Sequence, residues 1–274
     1  MKKLFVASAL IIGASTLPAD AGTTYCKEVS SIPFTIKKSG VWCLKKNLTY
    51  SGTSDWAIRI KKHNVVLDLN GYRLYGSGGA ASQASGIYAS NRRNVTVRNG
   101  TVEGFYRGVH MDGAVSDSAG HVVEYLRAVG NYFTGIQVNG HSTIIRKNHV
   151  SKTGDGDGTN AYGIYLNQSR GAHVYDNTVT HTSETAKAYG IAAISATEIV
   201  MRQNMVTYLL NATARYGIHM QSVNDALAYE NHLLSSASTT GIRATGSNDV
   251  RCIANTIYGF NNTHSTCDTF AAAP

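Results

Sequence analysis

A four-residue motif recurs through the chain: Gly, then Ile or Val, then a variable residue, then an apolar one. It stands as Gly108-Val-His-Met111, Gly135-Ile-Gln-Val138, Gly163-Ile-Tyr-Leu166 and Gly217-Ile-His-Met220, with weaker copies starting at Gly86, Gly190 and Gly241. Successive glycines lie 22–28 residues apart. A period of that length marks stacked repeats, each too small to bury its own apolar side chains alone. Side chains alternate along a strand, so the Ile or Val and the apolar residue two later share the inner face, and the residue between them points out. Stacking the copies aligns those outward residues in one column: Tyr88, His110, Gln137, Tyr165, Ala192, His219 and Arg243. Function is expected along this column.

A second register supports the stack. Asn148, Asn177, Asn204, Asn231 and Asn255 each follow a short β-rich run, and Gly100 takes the same slot one repeat earlier. Asn and Gly tolerate the left-handed backbone of a tight corner. Each period therefore reads as three short strands with an Asn corner between the second and third, and the asparagines can hydrogen-bond along the stack. Residues 121–131 break the pattern, so an irregular coil is expected there. The longest connections, around 151–162 and 181–189, precede the Gly-Ile strand and would flank the outward column as walls.

The GI-x-L, N-x-V-x-x-N and N-T-V pattern over roughly residues 55–262 resembles that of the right-handed parallel β-helix proteins, the pectate-lyase-like superfamily. The resemblance implies an all-β, single-domain solenoid of about eight coils, capped at both ends. It does not imply one activity, because lyases, epimerases, hydrolases and non-enzymes share the fold. The WIDH-like and RxPxxR-like segments of pectate lyases are missing, as is the NTD, paired-Asp, GHG and RIK series of polygalacturonases. No catalytic residue is carried over by motif, and those two activities are not expected.

Residues 1–21 carry two lysines, an apolar run and small residues at Ala19 and Ala21, as a secretory signal peptide does. Segment 22–54 reads as an N-terminal cap of short strands, 55–262 as the β-helix and 263–274 as a C-terminal tail or cap. Four cysteines fit an oxidising compartment, and a secreted or periplasmic location is expected. Of their three pairings, proximity favours Cys26 with Cys43 and Cys252 with Cys267, one bridge at each end of the stack. The net charge of +8 points to anionic partners, an acidic polysaccharide among them, although solubility alone would also account for it. No clustered Lys/Arg run resembles a nucleic-acid footprint, no segment after the leader is long enough to span a membrane, and a monomer is expected.

Strands stacked about 4.8 Å apart turn the column into distances. Tyr88, His110 and Gln137 lie on successive coils and can meet one sugar unit together. Tyr165 is two coils from His110, and His219 is four coils away, about 19 Å, so the histidines are no dyad. A second outward column runs through Lys61, Ser90, Asp112, Asn139, Asn167, Gln221 and Thr245. A lone exposed histidine means little; His110 gains weight from Tyr88, Asp112, Gln137 and Arg107 around it.

This set suits proton abstraction next to a uronate carboxylate, the first step of β-elimination and of C5 epimerisation. His110 would be the base, Tyr165 or Tyr88 the acid, and Arg107, Gln137 and Asn139 would neutralise charge. Asn167, His219 and Arg243 would bind more of the polymer. An inverting hydrolase would instead pair Asp112 with Asp155 or Asp157, and a non-catalytic adhesion protein would only bind. Asp155 and Asp157 in the Gly154–Gly158 run read first as a solvated Gly-rich turn, with Ca²⁺ binding as the weaker alternative. Tyr162, Tyr189 and Tyr216 share parity with the inner Ile residues and are expected to stack inside.

Overall fold

The computed structural model describes residues 25–78, 82–114, 116–154, 160–265 and 267. The leader at 1–21, Asp155, Asp157 and the tail beyond Cys267 lie outside the described residues. What is described is strand and turn, wound as a parallel β-solenoid of about eight turns. The inner column of Ile58, Ile87, Val109, Ile136, Ile164, Ile191, Ile218 and Ile242 is wholly buried. Burying one such side chain stabilises by about 1.5–3 kcal/mol, so the column is a large part of what holds the stack.

Each turn contributes to three ladders. One holds the Gly-Ile strands, for example Ser85–Ser90, Arg107–Asp112 and Thr134–His141, paired in parallel at every step. The next holds Ile144–Arg146, His173–Tyr175 and Thr197–Arg202. The last holds His149–Gly154, Thr178–Ser183 and Met205–Leu210. The segment from Lys27 to Tyr50 enters the same registers: Phe34 pairs with Ile58, Val41 with Val66 and Leu48 with Leu74. Its strands are thus a turn of the solenoid in their own right. Disulfides Cys26–Cys43 and Cys252–Cys267 fasten the first and last turns.

The repeated Gly is explained by close approach. A Cβ on Gly163 would lie 2.3 Å from Val179 Cγ1 and 2.6 Å from the carbonyl oxygen of Gly190 on the next turn. The same carbonyl contact recurs at Gly108, Gly135, Gly190 and Gly217, so the turns can stack only if this site has no side chain.

The Asn corner differs from expectation. The left-handed residue is the one before each Asn: Lys147, Asp176, Gln203, Glu230 and Ala254. Asn itself is the ladder. Each Nδ2 donates to the Oδ1 of the next, from Asn148 through Asn177, Asn204 and Asn231 to Asn255, at 2.9–3.0 Å. Each Oδ1 also accepts the preceding Asn's backbone N–H, which satisfies groups that would otherwise be buried unpaired. The turn at 121–131 is regular, contrary to its sequence. Val122–Val129 is one strand with Tyr125 left-handed, and the Leu126 amide donates to Asn148 Oδ1. Backbone geometry replaces the missing Asn.

Candidate functional site

The outward column lies in register as read. Tyr88 pairs with His110, His110 with Gln137, Gln137 with Tyr165, and the series continues through Ala192 and His219 to Arg243. It also extends one turn earlier, to Arg59 opposite Tyr88. In the second column Asp112 faces Ser90 and Asn139 faces Asn167, with Ile194 interposed before Gln221 and Thr245.

The two ends of the face differ. From Arg59 to Gln137 the side chains are polar and mostly half-buried. Tyr88 and His110 rings lie 5.1 Å apart, centre to centre. Arg107 donates from Nε to Gln137 Oε1 at 3.2 Å, and its guanidinium rests on Tyr106 and Phe133 at 4.7 and 5.0 Å. Asn139 Nδ2 donates to Asp112 Oδ1 at 2.9 Å, while the buried Asn139 Oδ1 has no partner. The Arg107 charge acts on His110, Tyr88, Tyr165 and Asp112, which makes it the electrostatic centre of the cluster.

Desolvation first, then the neighbouring Arg107, push the His110 pKa down to about 4, and Asp112 offsets only part of this. The imidazole is neutral at pH 7 and can accept a proton. Desolvation pushes Tyr165 up to about 12, so its phenol keeps its proton and can donate it. Base and acid are thereby held apart in character, two turns from one another with Gln137 between them.

Beyond Tyr165, itself half-buried, the face is filled. Tyr162, Tyr189 and Tyr216 stack at 4.7 and 5.3 Å, but away from the main core. They pack with Tyr165, Ala192 and Phe133 in a second cluster, and Tyr189 and Tyr216 both flank the His219 ring at 5.1 Å. The expected stack exists; the expected inward direction is wrong. Parity with the Ile fails there: the residue before the Gly packs in the outer cluster and not with the main core. Trp56, Ser85, Arg107, Thr134, Tyr162, Tyr189 and Tyr216 share this register.

His219 is only 4 % exposed, with Nδ1 unpartnered and a pKa lowered by burial to about 4. Arg243 lies over Tyr216, donating to its hydroxyl and to Thr245 Oγ1. These two stand apart from the His110 cluster, while Asn167 lies one turn beyond Asn139.

Trp56 and Arg59 escaped the sequence reading as site residues. Trp56 stacks on Tyr88 at 5.8 Å, and the Arg59 guanidinium lies 4.2 Å from the Trp56 ring centre. The only sequence signal was the Trp two residues ahead of an inner Ile, in the register that also carries Arg107.

A parallel β-helix with a polar, cation-bearing outward face is the class these features define. The chain belongs to the NosD family, described as periplasmic copper-binding proteins, whose model matches residues 47–266. That family and the two disulfides place the protein outside the cytoplasm. No curated protein matches the chain.

Three solved structures share the fold. The enzymatically active domain of tailspike protein 2 from bacteriophage CBA120 is 11% identical with a TM-score of 0.57, covering 87% of this chain and 39% of its own. PfbA, a surface adhesin of Streptococcus pneumoniae, is 14% identical at 0.57, covering 86% and 64%. The alginate lyase of Paenibacillus sp. str. FPU-7 is 13% identical at 0.51, covering 87% and 99%. The chain thus spans less than two thirds of the tailspike and of the adhesin. No helix among the described residues is long and apolar enough to cross a membrane.

Among the described residues no cluster of three or more His, Cys, Asp or Glu offers a site for the family's copper. Copper takes thiolate, thioether or imidazole donors gathered at one point. All four cysteines are in disulfides; Met111, Met201 and Met220 are sealed in the core, while Met205 is exposed in register with His232.

Proposed function

We propose that the face from Arg59 to Tyr165 binds an acidic polysaccharide and removes the proton beside a uronate carboxylate, giving β-elimination or C5 epimerisation. The observation that carries this reading is Arg107, hydrogen-bonded to Gln137 and acting electrostatically on a neutral His110. A uronate placed here would set its carboxylate against Arg107 and Gln137, whose positive charge and amide N–H make the adjacent C–H more acidic. His110 takes the C5 proton, and the electron pair becomes the C4–C5 double bond. The C4–O bond breaks as Tyr165 gives its phenol proton to the leaving oxygen. In epimerisation the proton returns to the opposite face instead.

His110 at about 4 is a weak base in the free protein. A bound carboxylate offsets the Arg107 charge and so raises His110 when substrate is present. Asn139 fixes Asp112 and leaves the second column as a polar floor. Asp155 and Asp157, the Ca²⁺ and hydrolase alternatives, take no part in this scheme, because Arg107 supplies the neutralising charge.

The test is incubation with polymannuronate, polygalacturonate and polyglucuronate, read by the ultraviolet absorbance of an unsaturated product and by solvent deuterium entering the sugar. Absorbance marks the lyase; deuterium without absorbance marks the epimerase. Arg107→Ala is expected to lower kcat about 100-fold or more. New reducing ends without either signal, or binding with no reaction, would overturn the proposal.

A further inference from the structure

We infer that Trp56, Arg59 and Tyr88 form a separate binding subsite, an aromatic and guanidinium clamp for a carboxylate-bearing sugar ring on the N-terminal side of His110. The inference rests on the groove reading given above and adds a position and a ligand class to it. Arg59 stands opposite Tyr88, and Tyr88 opposite His110, so the clamp begins one turn from the imidazole and ends about 10 Å away.

The state of Arg59 is what points to a ligand. It is half-buried, lying 4.2 Å from the Trp56 ring centre and 5.9 Å from that of Tyr88, and among the described residues it makes no hydrogen bond or ion pair. Other groove arginines are engaged: Arg107 donates to Gln137, and Arg243 donates to Tyr216 and Thr245. A guanidinium resting on an aromatic face keeps its N–H edge pointing outward, pre-set for a planar, two-pronged carboxylate. Trp56 and Tyr88 stack at 5.8 Å with 19° between planes, which places aromatic surface beside the guanidinium. An acidic sugar offers both halves of the match: C–H faces for the rings and a carboxylate for Arg59. A neutral sugar offers only the first. The clamp therefore contributes affinity and selects for charge, while proton transfer stays with His110.

The chain's two tryptophans allow a direct test. Trp42 packs edge-on against Phe34 in the first turn, so a Trp42→Phe variant leaves Trp56 as the fluorescent reporter. Titration with tetragalacturonate should change its emission saturably, and cellotetraose should not. Arg59→Ala in that background should weaken binding about tenfold or more, with Arg59→Lys between the two. Matching melting curves would verify the fold of each variant. His110→Ala should abolish turnover and leave the Trp56 titration in place.

An emission unmoved by the acidic tetramer, equal responses to both tetramers, or unchanged binding in Arg59→Ala would each overturn the subsite. The two readings fail separately. A Trp56 response without turnover by wild type leaves the clamp standing and removes the chemistry; turnover sensitive to His110 but indifferent to Arg59 does the reverse.

Discussion

The outward column is one continuous register with two different halves. Between Arg59 and Gln137 it carries guanidinium, phenol, imidazole and amide groups on a half-open face. Past the half-buried Tyr165, from Ala192 to His219, the same positions are roofed by Tyr162, Tyr189 and Tyr216, and Ala192 is wholly buried. Both halves hold a histidine whose pKa burial lowers to about 4. Only His110 has Arg107 and Asp112 acting on it together; His219 feels Arg243 and Lys187 more weakly than its own burial. The lesson is that register alone does not make a site. What the neighbouring register holds decides: an arginine at 107 leaves the face charged and open, and tyrosines from 162 onward close it.

The comparison predicts a stability contrast first. Tyr189→Ala empties the middle of the stack and should destabilise by about 3 kcal/mol, as large aromatic truncations in packed sites do. Tyr88→Ala on the open half should cost about 1 kcal/mol or less. Denaturant midpoints of the two variants would check this, and equal losses would erase the distinction between halves.

A smaller effect is expected from pH. His110, His121 and His219 all have folded pKa values lowered to about 4, below the ordinary 6.5. Between those values the unfolded chain binds more protons than the folded one. Stability should therefore fall as pH drops from 6.5 to about 4 and be insensitive to these groups above 6.5. His219→Phe should flatten part of that slope, as melting temperatures across the range would show. Smallest of all, under the proposed scheme, in which Arg107 has the neutralising role, a chelator should leave turnover unchanged; loss of activity with EDTA, restored by Ca²⁺, would instead bring back the Asp155 and Asp157 alternative.

Much of the fold was legible because the repeat is steric. Gly163 and its counterparts mark the close approach of successive turns, and the alternation after them fixes which residues point out. The site was legible to the extent that it follows that alternation: Tyr88, His110 and Gln137 fall into line from spacing alone. Parity fails at the residue before the Gly, which packs outside the main core, so Tyr162, Tyr189 and Tyr216 lie on the opposite side from that expected and the alternation gives no signal at Trp56. Of the two reasons for the Asn slot, hydrogen bonding along the stack holds and the left-handed corner does not, since a left-handed φ at Lys147 or Glu230 has no signature in side-chain type. The missing Asn at Leu126 misled for the same cause.

The central claim is that chemistry belongs to the open half. It is tested most directly by a matched pair, His110→Phe and His219→Phe, each keeping a ring and losing the imidazole, assayed for kcat/KM on the uronic polymer that wild type turns over. The account predicts a fall of about 100-fold or more for His110→Phe and little change for His219→Phe. Equal losses in both, or a greater loss at His219, would contradict it.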